Sequence, residues 1–271
     1  MIFVIFLLFG LLIGSFLNVL VYRLRAAEEL FWDRSKCPHC QHLIRWYDNV
    51  PVISFILLKF RCRDCRGKIS WQYPAVEIFT GIVFALVGQF FFDPANSGTW
   101  MTTAYYLIIV GTLIVISVYD WLYFEIPGEV LWSGIAIAIA YGLYSDWTAW
   151  FNFGMSADIW GTMVYPGVLA AFLAFFFFFL LSVLSREKWM GMGDAYLAIL
   201  LGLIVGWPKI LLALFLAFFL GAVWGMGLIV AGKKKMKSRL PFAPFMILGA
   251  LIAIFFYAPI IDWYFSLFLL H

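Results

Sequence analysis

The chain has 271 residues, of which 65% are hydrophobic, 21% aromatic and 12% charged, with a formal net charge of +3. Soluble domains carry about 45–50% apolar and about 25% charged residues, so there is too little polar surface here to clothe one water-facing core. An ordinary soluble globular protein, a disordered chain and a nucleic-acid binder are excluded, and a polytopic membrane protein is what remains.

In chain order, apolar runs comparable with the roughly 20 residues a helix needs to cross the hydrocarbon fall at residues 2–22, 74–92, 103–119, 128–144, 161–184, 194–206, 208–231 and 242–264. The fourth is somewhat short and the sixth is the shortest. Aromatic residues cluster at several ends, as interfacial anchors do. The first run has no basic stretch before it and is followed by its basic residues, so it predicts a retained helix, not a cleaved signal peptide. No internal repeat or low-complexity tract stands out. The run Phe175–Phe179 reads as a lipid-facing or packing feature.

Of the 18 Lys and Arg residues, ten lie in 23–68, two are Arg186 and Lys188, five lie in 233–239, and Lys209 stands apart. Cytoplasmic loops keep positive residues. Eight crossings with the N-terminus outside put loops 23–73, 120–127, 185–193 and 232–241 on the cytoplasmic side, with 17 of the 18 basic residues. Without a crossing at 194–206, the cluster 233–239 would fall opposite the first loop. The expected fold is all-α with about eight transmembrane helices. It is organised as a first helix (1–22), a cytoplasmic zinc-binding loop (23–73) and a multi-helix core (74–271).

All four cysteines lie in that loop, as Cys37-Pro38-His39-Cys40 and Cys62-Arg63-Asp64-Cys65, with 21 residues between the pairs. Two C-x-x-C knuckles at this spacing predict one tetrahedral zinc of four thiolates. A cytoplasmic position disfavours disulfides, and so short a loop draws folding free energy from its metal. A redox-active or incidental pair of dithiols is the alternative. His39 and His42 are not expected as ligands. Four thiolates leave no open position, so the chemistry is expected elsewhere.

Glu77, Asp120 and Asp194 sit against apolar helices on the expected cytoplasmic side, where ionisable groups are costly. Taken singly, each has a plain structural reading. Asp120 could be a solvated interfacial acid. Asp194, in Gly191-Met192-Gly193-Asp194, could be a helix N-cap. Glu77, three residues after Pro74, suits a helix start with Pro at the first position. Together, Asp120 and Asp194 fall at one membrane depth on one face. Two carboxylates sharing a site do not both ionise easily: the ionised member takes a proton from water while the protonated one polarises a peptide carbonyl. Gly191 and Gly193 would let backbone approach closely, to a substrate strand or an opposing helix. Asn18 and Ser15 put small polar groups on the first helix, which helix packing explains.

Several segments resemble the bacterial type IV prepilin peptidases, the leader peptidase/N-methyltransferases within the GxGD membrane aspartic proteases. They are Gly14-Ser15-Phe16-Leu17-Asn18-Val19 with Tyr22-Arg23, Asp48-Asn49-Val50-Pro51-Val52-Ile53-Ser54, Tyr73-Pro74-Ala75-Val76-Glu77, Asp120 with Ile126-Pro127, Gly191-Met192-Gly193-Asp194-Ala195, and Pro241-Phe242-Ala243-Pro244-Phe245. The resemblance implies that Asp120 and Asp194 are the catalytic pair, with Gly191 and Gly193 in the active-site loop and Glu77 and Asn18 as supporting residues. It implies a bacterial cytoplasmic (inner) membrane enzyme that cuts the basic leader from type IV pilin or type II secretion pseudopilin precursors, after Gly. It also implies N-methylation of the new N-terminus from S-adenosylmethionine. No G-x-G-x-x-G follows a predicted strand, so the residues themselves disclose no methyl-donor site. Two positions depart from the family: Tyr196 stands where Lys is usual, and Gly128-Glu129 follow Ile126-Pro127 where Asp is usual.

Two readings compete. A transporter relaying protons predicts acids near the bilayer midplane. A pilus or secretion assembly protein that docks partners on its zinc loop predicts that the cysteines matter and the aspartates do not.

Overall fold

In a computed structural model of the chain, residues 1–26, 35–37, 39–153, 161–188, 190–233 and 239–269 are described. The basic cluster 233–239 and the stretch 27–34 lie largely outside them. By packing, the chain divides into two compact units, Met1–Val118 and Tyr119–His271.

Each of the eight apolar runs is a helix. They are α1 (Ile2–Ala26), α3 (Gln72–Phe91), α4 (Gly98–Tyr123), α5 (Gly128–Phe153), α6 (Val164–Ser185), α7 (Met192–Val205), α8 (Lys209–Val230) and α9 (Ala243–Leu269), and one short helix, α2 (Ile53–Leu57), lies in the cysteine loop. Among the described residues α1, α3, α4, α6, α8 and α9 are long and apolar enough to cross a membrane, which makes this a multi-pass membrane protein. The 14 residues of α7 span about 21 Å, against a hydrocarbon core of about 30 Å. Length matching matters where a helix faces lipid, and α7 mostly faces protein. Ala195, Leu197, Ala198, Leu200, Leu201, Gly202, Ile204 and Val205 are all buried, in contacts with α5, α6, α8 and α9.

In the first unit α1 packs along α3. A Cβ on Gly14 would come within 2.8 Å of the Glu77 Cα, so only glycine admits this approach of two backbones. Asn18 ties the same helices together, its amide donating to the carbonyls of Gly14 and Tyr73 at 3.2 Å each. Farther along, Thr103 donates its hydroxyl to the Phe91 carbonyl at 3.0 Å, and the rings of Phe91 and Tyr106 stack at 3.9 Å.

In the second unit α6 packs on α7 and α8 on α9. A side chain on Gly202 would overlap the backbone of Ala171. The phenylalanine run of α6 divides between roles, with Phe178 fully buried and Phe176 and Phe177 exposed. Phe178, Phe218 and Phe242 form one cluster, with ring centroids 5.1–6.1 Å apart. Asp146 of α5 caps the start of α6, accepting the N–H groups of Met163 at 2.6 Å and Val164 at 3.0 Å.

Candidate active site and metal centre

The cysteine loop is built from one local structure used twice. Lys36 bridges Leu43 and Arg61 bridges Lys68, both antiparallel. The Cys37 N–H donates to the His42 carbonyl at 2.9 Å, as Cys62 does to Gly67 at 2.8 Å. Gln41 donates back to Cys37 at 2.8 Å, as Arg66 does to Cys62 at 3.0 Å. Ile44 donates to Ser35 at 2.8 Å, as Ile69 does to Phe60 at 2.9 Å. Gln41 and Arg66 share a left-handed backbone, with φ of 58° and 56°. The segments 35–44 and 60–69 are therefore equivalent, a repeat the sequence hides because little beyond the cysteines is common to both.

The two knuckles bring the sulfurs of Cys37, Cys40, Cys62 and Cys65 within 4.8 Å of one another, with Cys37 and Cys65 at 3.9 Å. A tetrahedral zinc with bonds of about 2.3 Å holds its sulfurs about 3.8 Å apart, so the donor set fits zinc. Burial opposes ionisation of Cys37, but the N–H groups of Cys40 and His39 and the neighbouring thiols of Cys40 and Cys62 bring it down to about 7. Four thiolates at this spacing repel, and a dication is what lets them coexist. The zinc would be structural.

The rest of the loop is held by specific contacts. Phe55, Phe60 and Trp71 form an aromatic cluster with centroids 4.8–5.3 Å apart. The Arg63 guanidinium grips Asp48 through two bonds, at 2.9 and 2.6 Å. That hydrogen-bonded ion pair holds the Asp48 carboxyl below its ordinary value. The Ser54 hydroxyl donates to the Tyr47 carbonyl at 2.8 Å.

Glu77 does not play the helix-start role expected of it. The helix begins at Gln72 and has no acid in its first turn, because proline is tolerated anywhere in that turn. Glu77 is instead buried, and its carboxylate accepts the Val52 N–H at 2.8 Å. Glu77 and Asn18 thus belong to the first unit, with the cysteine loop.

Asp120 and Asp194 both belong to the second unit. Asp120 lies in the last turn of α4, which Phe124 ends with φ of 57°. An acid is unfavourable at a helix C-terminus, yet this one is 6% exposed. The first amide of α9 offsets the cost, with Ala243 N–H donating to Asp120 Oδ2 at 3.2 Å. Pro244 follows in the first turn, where its lack of an N–H costs nothing. The segment 241–245 therefore has a local task, presenting a helix N-terminus to Asp120, that its residue types alone did not disclose.

Asp194 is not the N-cap of α7. That place is held by Gly191 without a side-chain bond, and Asp194 sits in the first turn, a favourable end for an acid. The two glycines before it differ. A Cβ on Gly193 would press to 3.3 Å on the Ile126 side chain, whereas one on Gly191 would meet nothing nearer than the Gly193 nitrogen at 4.0 Å. Close approach is thus a property of Gly193, and what it approaches is the segment after Asp120. Tyr196, the departure from the usual lysine, packs its ring against Trp132 at 5.7 Å and Phe175 at 6.2 Å between centroids.

Residues 8–91 match the family described as the bacterial peptidase A24 N-terminal domain, and residues 107–226 match the type IV leader peptidase family. A prepilin leader peptidase/N-methyltransferase of Stutzerimonas stutzeri is 30% identical over 92% of this chain and 88% of its own. The type 4 prepilin-like proteins leader peptide-processing enzyme of Escherichia coli O78:H11 is 31% identical over 92% of each chain. A prepilin leader peptidase/N-methyltransferase of Bacillus subtilis is 27% identical over 95% of each. No solved structure matches. With both family segments present in order and relatives of 30% identity or more matching nearly end to end, the chain belongs to the type IV leader peptidase family.

Proposed function

We propose that this protein is a membrane aspartic endopeptidase that removes the basic leader from type IV prepilins or pseudopilins, after Gly, and N-methylates the new N-terminus with S-adenosylmethionine. Asp120 and Asp194 are the catalytic pair. Sharing one proton, they bind a water between them; one acid accepts its proton while the other donates to the scissile carbonyl. No acyl-enzyme forms. Gly191 and Gly193 shape the loop that carries Asp194. The cysteine loop (23–73) is a cytoplasmic zinc module. The N-terminus is outside, α7 returns the chain across the bilayer, and the enzyme resides in the cytoplasmic (inner) membrane of a bacterium.

The observation that carries this reading is that one unit holds both acids and brings Gly193, beside Asp194, against Ile126, six residues after Asp120. Family membership disfavours the transporter and assembly-protein readings. The test is Asp120→Asn and Asp194→Asn in the purified protein, with precursor cleavage followed by mass spectrometry. General acid–base groups contribute about 10²–10⁴-fold, and a loss of that size is expected from each. Near-normal processing by either variant overturns the assignment.

A further inference from the structure

The first unit carries an exposed apolar surface that neither the thiols nor the aspartates use. In α2, Ser54 and Phe55 are buried, while Ile53, Ile56 and Leu57 are 58%, 59% and 75% exposed. Those three stand at i, i+3 and i+4, which is one face of a helix. Exposed apolar residues scattered singly need no explanation, but a contiguous set marks an interaction surface.

Two contacts with α3 set the depth of α2. At its start, the Val52 N–H donates to the Glu77 carboxylate at 2.8 Å, and Glu77 lies in the second turn of α3. In its middle, Phe55 packs edge-on against Trp71 with ring centroids 5.0 Å apart, and Trp71 immediately precedes α3. Trp71 is exposed and heads a row of exposed residues at helical spacing, Ala75, Ile78 and Ile82. On a helix long and apolar enough to cross a membrane, that row faces lipid, and a Trp at its end is an interfacial anchor. α2 therefore lies where the lipid-facing side of α3 reaches the headgroups.

Charge selects the lipid. Residues 35–71 hold seven basic groups against two acids, and Lys59, Arg61, Arg66 and Lys68, which follow α2, are all exposed. An apolar helix face with basic residues beside it suits an anionic leaflet. A soluble partner protein would need the same face clear of the membrane, which the ties to Glu77 and Trp71 oppose.

We propose that α2 is an interfacial anchor: Ile53, Ile56 and Leu57 enter the headgroup–acyl boundary of the anionic cytoplasmic leaflet, and Lys59 and Arg61 meet its phosphates. The cysteine knuckles are thereby held at the membrane surface instead of standing free in the cytoplasm. The inference stands on the membrane-spanning fold and, for the choice of leaflet, on the reading of this loop as cytoplasmic. It does not depend on the peptidase or methyltransferase reading.

The experiment uses the full-length, zinc-loaded protein in nanodiscs of phosphatidylethanolamine and phosphatidylglycerol, with part of the lipid carrying a diazirine at the headgroup end of an acyl chain. Irradiation and peptide mass spectrometry are expected to find label in 53–57 of wild type as well as on the spanning helices. Label on the helices with none in 53–57 overturns the proposal. Replacing phosphatidylglycerol with phosphatidylcholine leaves the protein untouched and should lower the label in 53–57 several-fold; equal labelling overturns the anionic leaflet as the partner. Ile56→Asp with Leu57→Asp should lower it several-fold with zinc content and helix labelling unchanged. In a separate arm, Leu57→p-benzoylphenylalanine should form lipid adducts on irradiation. Adducts to a second copy or to another segment of the chain would identify a protein contact and overturn the anchor. In spheroplasts a membrane-impermeant amine reagent should leave Lys68 unmodified. Reaction there overturns the cytoplasmic placement, which the diazirine label alone does not test.

Discussion

The two units position their polar groups by different means. In Met1–Val118 the cysteine loop has little apolar material, essentially the cluster of Phe55, Phe60 and Trp71. Its shape comes from two hydrogen-bonded knuckles and the Asp48–Arg63 pair. In Tyr119–His271 the acids sit at helix ends whose places are set by close apolar packing, such as Gly202 on Ala171 and the cluster of Phe178, Phe218 and Phe242. One unit takes its geometry from local hydrogen bonds around four cysteines able to hold an ion, and the other from burial. Damage to each should therefore show in different measurements.

The largest contrast is expected from the aspartates and the cysteines. Asp120→Asn removes precursor cleavage by the margin already given and leaves one zinc per chain. Cys62→Ser does the reverse. Structural zinc contributes about 10–16 kcal/mol of apparent binding free energy at neutral pH, so loss of one ligand should take metal content from one per chain to near none by atomic emission. Methylation should then fall further than cleavage. Equal loss of both activities would erase the distinction between the units.

An intermediate effect is expected in the second unit alone. Gly202→Leu drives a side chain into the Ala171 backbone. Overpacking costs about 1–3 kcal/mol, and an obstacle of backbone puts this variant at the top of that range. Its melting temperature should drop with zinc retained, and an unchanged transition would contradict the packing described. The smallest effect separates the two glycines. Gly193→Ala should slow cleavage several-fold by pushing on Ile126, while Gly191→Ala, with open space around it, should change the rate little. The opposite order would show that the approach at Gly193 does not position Asp194.

Much of this was legible locally. Apolar runs marked the eight helices of 14 residues or more among the described residues because hydropathy acts through neighbouring residues, and the C-x-x-C spacing pointed to the four-cysteine cluster because a knuckle is a local structure. Other features escaped for stated reasons. The equivalence of 35–44 and 60–69 is written in backbone hydrogen bonds, which most side chains permit. The Ala243 amide could not be found from its residue type, since nearly every residue has an N–H; its role follows from where α9 begins. Glu77 read as a helix-start residue because nothing along the chain reveals that Val52, 25 residues away, points its N–H at it.

Composition, hydropathy and cysteine spacing were enough to establish a multi-pass helical protein with a four-thiolate loop, because each depends on short stretches of chain acting on solvent, lipid or metal. Packing alone decided that the segment after Asp120 lies against the residue before Asp194, that the start of α9 serves Asp120, that Gly193 and not Gly191 lies against a neighbour, and that Asn18 and Glu77 share a cavity. Those facts depend on distances between residues remote in sequence, and such distances exist only once the helices have docked.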